Sequence, residues 1–305
     1  MMRSLHLCTL LVVFSGLWTS TGWAQVSGGA HESQQPGARE AEQPVGMVTE
    51  PCPEPLVLPA SVHDLLVELF VEPRKLTGAD LDRLTRNPQF MELTQTNRQR
   101  GAQDWAGLCH YRAANVSAST AAVAPRVVLM GDSITENWGL ADPQLFERGI
   151  LNRGISGQTT PQMLVRFRED VIALKPRAVH ILAGTNDVAG NTGPSRPQDF
   201  KNNIMSMVEL ARAHGIHVIL GSIPPAAAFN WRPQVQPVPQ IRELNQWLRD
   251  YAAHNGCDFI DYYSALGGAA GELKPELGND GVHPNRDGYR IMRTLLEKRL
   301  AQYVR

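Results

Sequence analysis

The sequence predicts an α/β fold, a doubly wound parallel sheet between two layers of helices, over residues 125–305, with a helical extension ahead of it. Short apolar and β-branched runs recur at Arg126–Met130, Gly149–Asn152, Ala178–Leu182, His217–Gly221 and Asp258–Asp261. Amphipathic stretches at 160–174, 199–214, 238–254 and 285–303 alternate with them and follow the helical period. Strands of this kind, nearly continuous in apolar residues, are those covered by helices on both faces. Most of the polar motifs fall just after the strand candidates, where open parallel sheets bind their ligands.

Upstream of the sheet the chain reads in three parts. Residues 1–24 resemble an export signal: Arg3 supplies positive charge, Leu5 to Leu17 a short apolar stretch, and Gly22-Trp23-Ala24 the small residues of a cleavage site after Ala24. The apolar stretch is short for a membrane span, so no stable anchor is expected. Cys8 lies inside it, too early for lipidation. Residues 25–59, rich in Gly, Pro, Gln, Ser and Glu, read as a mobile linker. Residues 60–124 form the helical extension. Ser61 is expected to cap a helix whose Val62, Leu65, Leu66 and Leu69 share one face. A second helix begins near Thr77, a third runs from about Phe90 to Tyr111, and 113–124 reads as a connector.

Composition narrows the partners. Apolar and charged fractions of 43% and 19% are those of a globular chain. The 29 Lys and Arg balance 30 Asp and Glu with no basic stripe, which argues against nucleic acid or an acidic membrane surface. Without the signal, Cys52, Cys109 and Cys257 remain, so at most one disulfide forms within the chain. Cys52–Cys109 is a possible pair in an oxidising compartment, and Cys257, close to Phe259-Ile260, reads as a small core residue. No zinc-spaced cluster, phosphate-binding loop or dinucleotide fingerprint is present, so no metal or cofactor is implied.

Four segments carry candidate chemistry. Gly131-Asp132-Ser133-Ile134-Thr135-Glu136 follows the first strand, where a serine at a strand-to-helix turn exposes its hydroxyl and offers its own N–H to an oxyanion. Ser-x-x-Glu is equally a capping box, and the hexapeptide alone fits both readings. Asp280-Gly281-Val282-His283-Pro284 precedes the last helix; a serine hydroxyl needs a base, and the base an orienting carboxylate, although Asp-x-x-His alone reads rather as surface decoration. A nearby helix N-terminus would help keep the His283 imidazole neutral. Asn152-Arg153-Gly154-Ile155-Ser156-Gly157-Gln158-Thr159 suits a backbone brought close to a ligand, though taken alone it reads rather as two turn glycines beside a helix cap. In Ala183-Gly184-Thr185-Asn186-Asp187, Asn186 either points an amide at the same oxyanion or closes an Asx turn. Trp231 and Arg232, in the Pro224–Pro233 loop, and Trp138, just after the serine, are candidate substrate contacts or local packing; Trp247 and Leu248 read as core.

In this order the four segments resemble the blocks of the SGNH hydrolases, also called GDSL-type esterases and lipases, including lysophospholipase-like and acetylhydrolase-like members, across about residues 125–305. Ile134 stands where the family name has Leu. The resemblance implies a flavodoxin-like sheet and a secreted or periplasmic serine esterase. Carried over, Ser133 is nucleophile and first oxyanion donor, Gly157 gives a backbone N–H, Asn186 a side-chain N–H, His283 is the base and Asp280 its orienter. The implied partner is a small-molecule, carbohydrate or lipid ester: short acyl, O-acetyl or lysophospholipid. Acyl transfer on the same fold and carbohydrate binding without catalysis are the alternatives; an intact Ser133, Asp280 and His283 set disfavours the second.

Overall fold

Five strands, β1 (Val127–Gly131), β2 (Ile150–Gly154), β3 (Ala178–Leu182), β4 (His217–Gly221) and β5 (Asp258–Ile260), form one parallel sheet in the order β2-β1-β3-β4-β5. They belong to a computed structural model that describes residues 46–121, 125–147 and 149–303. The expected signal segment 1–24, and the expected linker as far as residue 45, lie outside the described residues. The chain leaves β1 toward β2 on one side and reaches β3 on the other. The strand order therefore reverses at β1 and β3, and the crevice beyond the carboxyl ends of such strands is where open parallel sheets bind their ligands.

Ahead of the sheet lie α1 (Ala60–Leu66), which runs on through a π-helical turn at Val67–Val71, then α2 (Gly78–Thr85), α3 (Pro88–Gln103) and α4 (Arg112–Thr120). The sheet is interleaved with α5 (Ser133–Ala141), α6 (Thr160–Asp170), α7 (Thr185–Ala189), α8 (Pro197–Ala213), α9 (Pro237–His254) and α10 (Tyr262–Leu266), and closed by α11 (Arg286–Leu300). Successive strand residues point to opposite faces. Val128, Met130, Val179, Ile181, Val218 and Leu220 pack with Phe167, Phe200 and Leu248 of α6, α8 and α9. Val127, Leu129, Leu182 and Ile219 pack with Trp138 of α5 and with Tyr289, Met292 and Leu296 of α11.

The extension differs from expectation in three places. Ser61 lies inside α1; Pro59 holds the cap position, and the Ser61 hydroxyl donates to Gln89. The third helix stops at Gln103 because the Asp104 carboxylate accepts from Leu108 N (2.8 Å) and Cys109 N (2.7 Å), folding 104–109 into a turn. The expected connector after residue 112 is largely helical, as α4. Its alanines favour helix, and Asn115 anchors it by donating to Asp170 (2.6 Å) and accepting from Arg153 Nε (2.8 Å).

The extension has its own small core, with Val62, Leu65, Leu69, Phe70, Leu84 and Phe90, and it braces both ends of the crevice. On one side Asn279 Nδ2 donates to Leu69 O and Glu72 O, each at 2.8 Å. On the other, the Tyr111 hydroxyl donates to Gly154 O (2.5 Å). Cys52 and Cys109 are joined in a disulfide, which fastens the 104–111 turn to the segment before α1. Cys257 is a free, half-buried thiol whose pKa is raised by burial. No helix among the described residues is long and apolar enough to cross a membrane.

Candidate active site

The turn after β1 decides between the two readings of Ser133. Asp132, not Ser133, caps α5: its Oδ1 accepts from Ile134 N at 2.9 Å. Ser133 is the first helical residue, and its hydroxyl is left free of capping. Glu136 is also released from a capping box; its Oε2 accepts from the Ser156 backbone N–H (2.8 Å) and from the Ser156 hydroxyl.

Ser133 Oγ lies 2.9 Å from His283 Nε2, and His283 Nδ1 lies 2.7 Å from Asp280 Oδ2. An ionised carboxylate only accepts, so Nδ1 carries the proton and Nε2 is free to accept the serine's. Asp280 Oδ1 takes the backbone N–H groups of Val282 (2.9 Å) and His283 (2.8 Å), so acid and base are held on one tight turn. Asn285 caps α11 behind it, and the Tyr289 hydroxyl donates to Ile134 O (2.8 Å), tying this helix to that of Ser133.

Burial opposes charge on both partners, and their mutual attraction outweighs it. Burial pulls the His283 imidazole down, yet the Asp280 carboxylate, aided by Asp132, holds its pKa above the ordinary histidine value. Asp280 is held below the usual carboxylate range despite burial, through the charge and hydrogen bonds of His283 and the Val282 N–H. The expected effect of a helix N-terminus on the imidazole is opposed by two nearby carboxylates, Asp280 and Asp132, which hold its pKa up. Burial pushes Asp132 up to about 7, against the Ile134 N–H and the charge of His283, which lower it.

The other side of the crevice presents N–H groups. Ser133 N–H and Gly157 N–H donate to no partner among the described residues, and Gly157 sits in a turn at φ 79°. Gly154, before that turn, must lack a side chain: a Cβ there would stand 2.2 Å from Glu136 N. Arg166, wholly buried, reaches from α6 to Gly131 O (3.0 Å) and to Gln158 Oε1 (2.6 Å), while Gln158 Nε2 donates to Ala106 O (2.7 Å) in the extension. Asn186 is buried, and its Nδ2 donates to Gln158 O (3.0 Å) and, at a longer 3.3 Å, to Asp132 Oδ2. Asp187, raised by burial to about 6, accepts from Thr160 N and Oγ1 at the start of α6.

Of the candidate substrate contacts, Trp138 is corrected: it is 0% exposed and packs against Tyr289 and Tyr262 in the core, away from the crevice. Trp231 is half-buried, stacked on Phe229, and its indole donates to Asn191 Oδ1 (3.1 Å). Arg232 is half-buried, and its guanidinium has no hydrogen bond or ion pair among the described residues. Neighbouring Asn230 donates to Asp280 O (3.3 Å), so this loop borders the Ser133–His283–Asp280 line. Sequence reasoning missed Glu136, Gln158, Arg166 and Asn191. Arg166 left a signal: a charge set in the apolar stripe of Met163 and Phe167.

Residues 129–291 match the model of the GDSL-like lipase/acylhydrolase family. The chain is 41% identical over 112 residues to the uncharacterized lipoprotein YqeF of Bacillus subtilis, covering 31% of this chain and 46% of that one. It is 30% identical over 200 residues to the isoamyl acetate-hydrolyzing esterase 1 homolog of Bos taurus, covering 57% of this chain and 80% of the relative. The crystal structure of a GDSL-like lipase from Bacteroides thetaiotaomicron superposes with a TM-score of 0.62 at 43% identity, covering 65% of this chain and 98% of that one. The chain therefore belongs to the GDSL-like lipase/acylhydrolase family of carboxylic ester hydrolases, within the SGNH hydrolase class.

Proposed function

We propose that the chain is an exported serine esterase that cleaves short-chain carboxylic esters, O-acetyl esters foremost, at Ser133. The observation that carries this reading is the hydrogen-bonded line from Asp280 through His283 to Ser133, 2.7 and 2.9 Å per link. His283 Nε2 takes the hydroxyl proton as Ser133 Oγ bonds to the ester carbonyl carbon. Negative charge moves onto the carbonyl oxygen and is met by Ser133 N–H, Gly157 N–H and Asn186 Nδ2. The tetrahedral centre collapses as the imidazolium returns its proton to the departing alkoxide, which leaves as the alcohol. Water, deprotonated by the same nitrogen, then releases the acyl group as a carboxylic acid. Asp280 steadies the imidazolium throughout without taking its proton.

A short acyl group is favoured by a relative named for acetate ester hydrolysis. Export is supported by the signal-like residues 1–24 and by the Cys52–Cys109 disulfide, which suits an oxidising compartment. The proposed organisation is signal 1–24, linker 25–59, bracing extension 60–124 and hydrolase domain 125–305. The test is hydrolysis of p-nitrophenyl esters from acetate to palmitate by the mature protein and by Ser133→Ala. The reading predicts acetate and butyrate cleavage that disappears in the variant; activity surviving in folded Ser133→Ala removes the nucleophile assignment.

A further inference from the structure

The proposed oxyanion donor Asn186 is oriented by a chain of side chains that begins at an indole. Trp231 Nε1 donates to Asn191 Oδ1 at 3.1 Å, and Asn191 Nδ2 donates to Asn186 Oδ1 at 2.6 Å. Asn186 and Asn191 are 3% and 4% exposed, so water offers neither amide a substitute partner. An amide can present either its oxygen or its nitrogen, but an indole N–H only donates. Trp231, which only donates, and the Gln158 carbonyl, which only accepts, fix the polarity of the line from its two ends: Asn191 turns its oxygen to the indole and its nitrogen to Asn186. Asn186 must then accept on Oδ1, which leaves Nδ2 toward Gln158 O and Asp132 Oδ2.

The backbone is built for this meeting. α7 ends at Gly190, whose φ of 66° is left-handed. Gly190 N–H bonds to Asp187 O (3.1 Å) and Asn191 N–H to Asn186 O (3.0 Å), a helix-ending pattern that folds Asn191 back over Asn186. Trp231 is held in turn by stacking on Phe229, which is wholly buried.

We infer that Trp231 and Asn191 are positioning residues that keep the Asn186 amide donor-first toward the developing oxyanion. This rests on the reading of Asn186 as an oxyanion donor. A flipped amide would set its oxygen's lone pairs against the oxyanion, turning attraction into repulsion. Trp231 thus acts through hydrogen-bond polarity, not only as a surface for substrate.

Steady-state kinetics on p-nitrophenyl acetate test this with Asn191→Asp, Trp231→Phe, Asn186→Ala and each of the first two combined with Asn186→Ala, all checked for folding by thermal melts. Asn191→Asp keeps the size and the acceptor for the indole but removes the donor to Asn186. It should lower kcat about tenfold with KM little changed, short of the roughly 10²–10³-fold loss for a deleted oxyanion donor. Trp231→Phe keeps the ring and loses only the N–H, and should lower kcat by a smaller factor. Neither change should cost anything further in the Asn186→Ala background. Full additivity in that background, or wild-type kcat in Asn191→Asp, overturns the inference. A wild-type rate in Asn186→Ala alone instead overturns the oxyanion reading beneath it.

Discussion

Glu136 Oε2 accepts both the backbone N–H (2.8 Å) and the hydroxyl of Ser156, joining the first turn of the Ser133 helix to the turn that presents Gly157. Two of the three proposed oxyanion donors are thereby spaced by one side chain. Hydrogen bonds to a charged partner contribute about 1.5–3 kcal/mol each. Glu136→Ala should lower kcat roughly tenfold through the loosened Gly157 turn, while Glu136→Gln, which keeps an acceptor, should recover most of it. Equal kinetics for wild type and Glu136→Ala would show that the turn holds itself.

Asn186→Ala removes a donor outright and should cost about 2.7–4 kcal/mol in kcat/KM. The check is kcat/KM on a short-chain ester together with unchanged KM.

His283 works as a base only when neutral. Its pKa is raised, burial being outweighed by Asp280 and then Asp132, so activity should be absent at low pH and appear as pH rises through a value above the ordinary histidine one. Removing a negative neighbour lowers that pKa. Asp132→Asn, whose amide oxygen still caps α5, should therefore shift the acid limb of kcat/KM to lower pH. An unmoved acid limb would mean that Asp132 carries no charge beside the imidazole.

The Cys52–Cys109 disulfide closes a loop with a sequence separation of 57. Loop-closure entropy assigns such a link about 4 kcal/mol, and Cys52→Ser with Cys109→Ser should lower Tm accordingly. The same turn holds Ala106 O against Gln158 and Tyr111 against Gly154, so activity should fall before global unfolding. Kinetics recorded against a melting curve, with and without reductant, separate the two effects.

The strands and their flanking helices were legible because buried parallel strands and amphipathic helices write different periods into the chain, and the bounds of β3 and β4 coincide with expectation. Ser133 was legible as a motif at the end of a strand, and Asp280 and His283 as one ahead of the last helix, although their meeting is a property of the fold. Trp138 was misplaced because nearness in sequence was taken for nearness in space. Five residues along a helix is about 140° around it, so Ser133 facing the crevice sends Trp138 into the core. Asn191 and Gln158 left no local mark, since their work depends on partners brought by other loops. The end of α3 at Gln103 turned on one carboxylate, Asp104, accepting from two later N–H groups, a choice that apolar periodicity does not encode.

The most direct test is covalent labelling with a fluorophosphonate, which reacts with an activated serine, followed by peptide mass spectrometry. A triad of Ser133, His283 and Asp280 predicts one stoichiometric adduct on Ser133, absent in Ser133→Ala and formed far more slowly in His283→Ala. A folded, ester-cleaving protein that is labelled elsewhere, or that labels Ser133 equally fast without His283, would contradict it.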